Sequence, residues 1–322
     1  MSSVVNKHHP SELWRGYWGI QVLYIGQSLG LFESLKDPQS VETLARTKNM
    51  DAAYVGHWCE AALSFQLLKK LEDLYQTPPD FQDWLSLSKG FTQSHLNLNR
   101  RMNETLSAVF GGRALPEPTI SLRLLLQESL QANYRWLFQE ASLLSPKLQG
   151  ILSKQSRVLE ISCGLGFGLS YLRDFYPKLE LFGIESDYEC AQEAERSTKA
   201  VIHIGELPRG KFSKKFELIV SFRSLSASQN PETLLRECAE LLSDDGLFLL
   251  GSELTNEELH RKDEARMQGE RLTYSILTRE SLNHTFTQTQ LASLLEKTGF
   301  RILQQLKAPD WATPAFLCAL TS

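Results

Sequence analysis

Residues Arg157-Val-Leu-Glu-Ile-Ser-Cys-Gly-Leu-Gly-Phe-Gly168 limit what this chain can fold into. Val158, Leu159 and Ile161 form a short apolar run of the kind a buried strand shows. Glycines follow at alternate positions, 164, 166 and 168, and Leu169 to Phe175 then carries apolar residues at helical spacing. Strand, glycine turn and helix in that order predict an open α/β sheet that receives a nucleotide-like ligand at a strand's carboxyl end. Glycine suits such a turn because it lets backbone come close to a ligand and takes φ > 0 at little cost. A dinucleotide fingerprint would need its third glycine at 169, which is Leu. A P-loop would need Gly-Lys-Ser/Thr after the turn, and that is absent.

Further strands can be read beyond the turn. Leu179 to Ile184 is one and ends in Glu185-Ser186-Asp187; Val201 to Ile204 and Phe216 to Phe222 are the next two. Asp244-Asp245-Gly246 predicts a turn before a strand at Leu247 to Leu250. A helix over Leu291 to Thr298 with Gly299 as its C-cap leads to strands at Phe300 to Leu303 and Phe316 to Leu320. Glu185 lies nineteen residues past Gly166, a spacing at which a carboxylate reaches ribose hydroxyls. Capping the following helix is its alternative use.

The segment Glu160-Ile-Ser-Cys-Gly164-Leu-Gly166 resembles the first motif of class I S-adenosylmethionine (SAM) dependent methyltransferases, acid-x-Gly-x-Gly-x-Gly, with Ser162 in place of the first glycine. Phe216 to Ser221 resembles the fourth-strand motif, with Glu217 where Asp is usual. The resemblance runs over roughly 155–322 and implies an α/β fold with a Rossmann-like seven-stranded methyltransferase core that binds SAM. It implies that Glu160, Ser162, Gly164 and Gly166 form the cofactor turn. Glu185, with Ser186 beside it, would take the ribose hydroxyls. Glu206 and Leu207 would lie at the adenine, and Ser221, Phe222 and Arg223 would line the cofactor's edge. Plant-like O-methyltransferases place a His shortly after the fourth strand, whereas residues 222–229 contain none. The candidate bases are then His260 and His284, within an insertion at 252–290. An acceptor needing no protein base, such as a carboxylate, amine or stabilised carbanion, also fits.

The first half reads as mainly helical. Apolar spacing predicts a helix over Trp14 to Leu29. Ser40 begins a partial capping box, and Asp51 caps a helix expected to run to about Leu71. Leu74 to Pro79 is expected to break the chain. Helix, turn at Asn49, helix and a possible hairpin give a winged-helix-like outline. Such a domain can read DNA, or it can serve dimerisation and close over a substrate. The phrases Gln27 to Leu35 and Ser40 to Ala45 resemble the start of small-molecule O-methyltransferases of the second kind. Charge favours that use: residues 1–150 balance 14 Lys and Arg against 14 Asp and Glu, and 52–68 holds no Lys or Arg. DNA affinity depends on cations against phosphates. Residues 80–125 read as a connection with a Gly/Pro loop at 111–118, followed by a long helix over Leu122 to Leu144 whose Tyr134, Trp136 and Phe138 read as core.

Two domains are thus expected, a helical winged-helix-like dimerisation or substrate-lid domain at 1–120 and a SAM-binding domain at 121–322. No apolar run approaches the ~20 residues a membrane span needs. The first ten residues lack a signal-peptide pattern, and five scattered cysteines show no paired spacing, so a cytoplasmic location is expected. No histidine shows metal-ligand spacing. A net charge of −4 offers no field for nucleic acid. The expected activity is methylation, O-methylation first, of a small molecule by a homodimer. The alternatives are a catalytically silent protein that binds SAM or its product SAH, and a DNA-binding regulator.

Overall fold

The structure is a computed structural model that describes residues 10–82, 85, 120, 123, 124, 127, 131–207, 212–251, 269, 272, 284, 286–306 and 315–321. It divides into two compact units, Met1–Leu96 and Asn97–Ser322. The expected boundary at 120/121 falls where few residues are described.

In the first unit α1 (Pro10–Ser28) is followed by a short α2 (Leu31–Ser34). Helix α3 (Val41–Lys48) begins at Ser40, whose side chain accepts from the Thr43 N–H, and ends at Asn49 with φ 54°. Helix α4 (Ala52–Ser64) is capped by Asp51, which accepts from Ala53 and Tyr54 N–H. The helix stops at Ser64, well short of Leu71, because Gln66 adopts φ 60°. Strand β1 (Lys69–Leu71) then pairs antiparallel with β2 (Leu74–Gln76). The expected break over Leu74 to Pro79 is therefore the second strand of a hairpin for its first three residues. Phe32, Trp58, Leu44 and Tyr75 pack in the core of this unit. Tyr75, Lys70 and Glu60 hydrogen-bond one another and tie the hairpin to α4.

The second unit holds a seven-stranded sheet. After α5 (Gln131–Arg135) the chain winds as a π-helix (Trp136–Glu140) and a 3-10 helix (Ala141–Leu144), then as α6 (Pro146–Leu152). The described part of the expected long helix over Leu122 to Leu144 is thus helical but not uniformly α. Ser145 caps α6 and Pro146 begins it, which requires a new helix start there. The core alternates through β3 (Arg157–Ile161), α7 (Phe167–Phe175), β4 (Glu180–Glu185), α8 (Tyr188–Thr198), β5 (Val201–Ile204) and β6 (Phe216–Phe222). The short α9 (Ser224–Ala227), α10 (Pro231–Leu241), β7 (Leu242–Gly251), α11 (Gln288–Lys297), β8 (Phe300–Leu306) and β9 (Ala315–Leu320) complete it. The sheet order is β5-β4-β3-β6-β7-β9-β8. Strands β5 to β7 are parallel, and β9 runs antiparallel to both β7 and β8.

Strand β7 starts five residues before Leu247, where the sequence placed it. The pairing jumps from Phe216–Leu242 to Leu218–Leu247, so the Asp244-Asp245-Gly246 turn bulges out of a ladder that continues on either side. Alternation sets the two sheet faces. Val158, Leu218, Val220, Leu247, Leu249, Leu317 and Ala319 join one core with Leu137, Phe138 and Leu172. Leu159, Ile219, Phe248, Leu250, Phe316 and Cys318 join the other with Leu235, Leu291 and Leu295. Helix α11 enters its face through a full capping box between Thr287 and Gln290.

Candidate functional site at the carboxyl edge of the sheet

Strand order reverses between β3 and β6. From β3 the chain moves outward to β4 and β5, then returns to build the other half from β6. Ligands of open α/β sheets bind outside the strand ends at such a reversal. The turn 162–166 leaves β3 there with φ values of 53° at Ser162, 56° at Gly164 and 81° at Gly166. Ser162, exposed, takes a left-handed conformation that costs a residue with a Cβ about 1–2 kcal/mol.

The three glycines are required for different reasons. A Cβ on Gly168 would lie 2.4 Å from Glu160 Oε1 and 2.7 Å from the Tyr134 ring. One on Gly166 would lie 2.7 Å from Thr198 Cγ2 and 3.1 Å from Ala194 Cβ, so this glycine lets α7 and α8 pack closely. One on Gly164 would lie 1.4 Å from Gln127 Nε2.

Two acids meet at this edge. Glu185, buried at the end of β4, accepts the Gly164 N–H through Oε2 at 2.7 Å and the Asp187 N–H through Oε1 at 2.9 Å. Ser186 is exposed, with its hydroxyl 3.5 Å from Glu185 Oε1. Asp187, rather than Glu185, caps α8 by accepting from the Cys190 N–H. Glu160 is fully enclosed on β3 and accepts the Tyr134 hydroxyl through Oε1 at 2.8 Å. Burial, the largest influence, pushes its carboxyl up to about 8. The Tyr134 hydroxyl and the Leu169 N–H pull it down, and the Glu185 charge adds to the rise. Burial and the Glu160 charge also raise the Tyr134 phenol well above its ordinary value, while the Arg223 cation opposes this.

The end of β6 adds three of the expected residues. Ser221 and Ser224 place their hydroxyl oxygens 2.5 Å apart in the interior. The Phe222 ring lies over Gly251 and 5.4 Å from the Tyr134 ring. Arg223 takes φ 62° and donates its N–H to Gly251 O. Glu217, by contrast, sits at the far end of β6 and accepts the Arg157 N–H at 2.7 Å. Glu206 is exposed, and Leu207 packs on the second core, both directly after Gly205, whose N–H bonds Glu185 O. His284 donates its main-chain N–H to Ser226 O in α9, and its ring stacks on Phe286. His260 lies outside the described residues.

Sequence reasoning missed three contributors. Tyr134 reads from the sequence as core packing before ligand contact, yet its hydroxyl reaches Glu160. Gln127 Oε1 accepts the Leu165 N–H at 2.8 Å, and Arg123 pairs with Asp187 at 2.7 Å. All three come from the segment before β3, where no local pattern marks them. Among the described residues no group of His, Cys, Asp and Glu could hold a metal, and no helix is long and apolar enough to cross a membrane.

Comparisons agree with this architecture. Residues 130–305 match a family described as a methyltransferase domain. A malonyl-[acyl-carrier protein] O-methyltransferase of Bacillus cereus is 27% identical over 109 residues, which take in 32% of this chain and 40% of that protein. The match thus spans two fifths of the curated relative's length. The fold is similar to that of a pyocyanin biosynthetic protein, with TM-score 0.70 and 14% identity over 97% of this chain and 98% of the other. It is also similar to human N-acetylserotonin methyltransferase, solved in complex with SAM, with TM-score 0.61 and 17% identity over 100% of both chains.

Proposed function

The chain belongs to the methyltransferase-domain family, and from that premise we propose that it methylates a small molecule with SAM as methyl donor. The observation that carries this reading is the Glu185 carboxylate, held 2.7 Å from the first glycine N–H of the turn at the strand-order reversal. A carboxylate has about four lone-pair positions, and two here take backbone N–H groups. The rest suit the paired hydroxyls of a ribose. The turn at 162–166 presents main chain without a side chain at 164, as a nucleoside cofactor requires. Glu160 fits the cationic end of such a ligand, since a positive charge there favours its ionised form. Phe222 and Arg223 border the same edge, and Ser186, Glu206 and Leu207 take the ribose and adenine side.

When bound, SAM supplies an electrophilic methyl group on a sulfonium centre. The chain's own work is alignment and exclusion of water. His284, whose main-chain N–H is tethered to Ser226 O, and His260 are the candidate bases. O-methylation is the first expectation, as in the Bacillus cereus relative's name. The domain at 1–120 serves homodimerisation and covers the substrate in this reading, and the helix–turn–helix and hairpin of the first unit support a winged-helix-like form. A cytoplasmic location goes with it. DNA reading is disfavoured by α4, which carries no Lys or Arg. A second reading, binding of SAM or SAH without turnover, draws on the absence of His from 222–229.

The test is calorimetric titration with SAM and SAH alongside transfer of labelled methyl to pools of phenols, acids and amines. Tight binding with transfer supports the first reading. Tight binding with no transfer to any pool favours the second, and no binding removes both.

A further inference from the structure

The three glycines of the turn differ in what fills the space their missing side chains leave. At Gly166 the space is filled by Thr198 and Ala194 of a packed helix, and at Gly168 by Glu160 and Tyr134 in the interior. Those groups belong to the core. At Gly164 the space is filled by one carboxamide, that of Gln127, which arrives from outside the sheet. Its Nε2 lies where a Cβ would stand, and its Oε1 accepts the Leu165 N–H at 2.8 Å. With Gly164 N–H on Glu185, both successive N–H groups of the turn are taken by side chains. Four residues before Gln127, Arg123 grips Asp187, just beyond Glu185, at 2.7 Å. Residues 123 and 127 are both helical. The two contacts therefore span the ends of β3 and β4, across the turn and the acid assigned to the nucleoside.

We propose that Gln127 is an internal placeholder for the cofactor: its carboxamide occupies the polar seat at Gly164–Leu165 and leaves it when cofactor enters. This rests on the SAM-binding reading above. A neutral amide suits the task. It satisfies a buried N–H that would otherwise be costly to leave bare, yet a single neutral hydrogen bond has a small net value and is readily exchanged. The Arg123–Asp187 pair keeps the placeholder near its seat, so that the seat refills when product departs.

The test is stopped-flow association of SAH, which carries no sulfonium charge, with full-length wild type, Gln127→Ala and Gln127→Glu. Thermal melting of each variant checks that it is folded. Removing the placeholder is expected to speed association about five-fold, the scale of one net hydrogen bond. Gln127→Glu keeps the acceptor and is expected to associate no faster than wild type. An association rate for Gln127→Ala equal to or below that of wild type overturns the proposal. So does equal acceleration by both variants. Wild type that binds neither SAH nor SAM removes the cofactor reading itself, a result separate from either outcome.

Discussion

The Tyr134 hydroxyl donates a 2.8 Å hydrogen bond to Glu160 Oε1 inside the protein, one residue from the end of β3. The pair has a consequence for stability. Glu160 holds its proton up to about 8, against 4.5 for an ordinary glutamate. Between those values the folded chain binds a proton that the unfolded chain has lost, so stability falls as pH rises through that window. The contribution is complete below about 4.5 and gone above about 8. Its size is on the order of 5 kcal/mol. Urea unfolding at pH 5 and pH 9 should show wild type losing stability while Glu160→Gln changes less. A wild type as stable at pH 9 as at pH 5, relative to Glu160→Gln, contradicts this assignment.

Glu185→Ala is expected to weaken SAH binding by roughly 30-fold or more, since hydrogen bonds to a charged group are worth about 1.5–3 kcal/mol each. Part of any loss comes from the Gly164 and Asp187 N–H groups left without an acceptor. Glu185→Gln separates the parts, because its amide oxygen still accepts one N–H while the charge is gone. Calorimetry showing unchanged affinity in Glu185→Ala removes the ribose assignment.

At Gly166 a methyl group meets helix α8 and must also adopt φ 81°. Gly166→Ala should cost about 2–4 kcal/mol from overpacking and backbone strain together. A melting temperature within a degree or so of wild type counts against the packing described between α7 and α8.

Ser162 offers the opposite change. Its φ of 53° is relieved by glycine, offset in part by the larger entropy of a glycine in the unfolded chain. Ser162→Gly should therefore stabilise the protein by about 0.5–1 kcal/mol. Chemical denaturation that shows a loss instead assigns Ser162 a contact that outweighs the strain.

Helix α1 exposes Leu13, Trp14, Tyr17 and Trp18, with Trp14 at 63% and Trp18 at 57%. Aromatic surface of this kind belongs to an interface more often than to a free helix. Trp14→Asp with Trp18→Asp is expected to convert a dimer to monomers in sedimentation velocity. A wild type that sediments as a monomer at all concentrations rules out the dimer.

What could be read in the chain divides along physical lines. Val201 to Ile204 and Phe216 to Phe222 were bounded correctly because runs of β-branched and aromatic residues on a parallel sheet signal themselves. The place of Glu185 at the end of β4 follows from spacing, since a strand, a helix and a second strand fix the distance. Ends set by backbone conformation were misjudged. Helix α4 stops early because Gln66 turns left-handed, and glutamine gives no warning of it. The bulge in β7 hid the strand's first five residues, 242–246, behind what looks like an ordinary turn. Gln127, Arg123 and Tyr134 reach the site from a segment 30 to 40 residues upstream of the glycine turn, and only tertiary packing brings them there.

Strand β9 lies between β7 and β8, although β8 comes before it in the chain. When a ribosome has released β8, that strand has no neighbour to hydrogen-bond. Its ladder forms only when residues 315–320 emerge and slot in antiparallel on both sides. The last quarter of the sheet therefore assembles as a single event rather than strand by strand. A translation pause or cleavage between 306 and 315 would leave an open β7 edge, the kind of surface on which nascent chains aggregate.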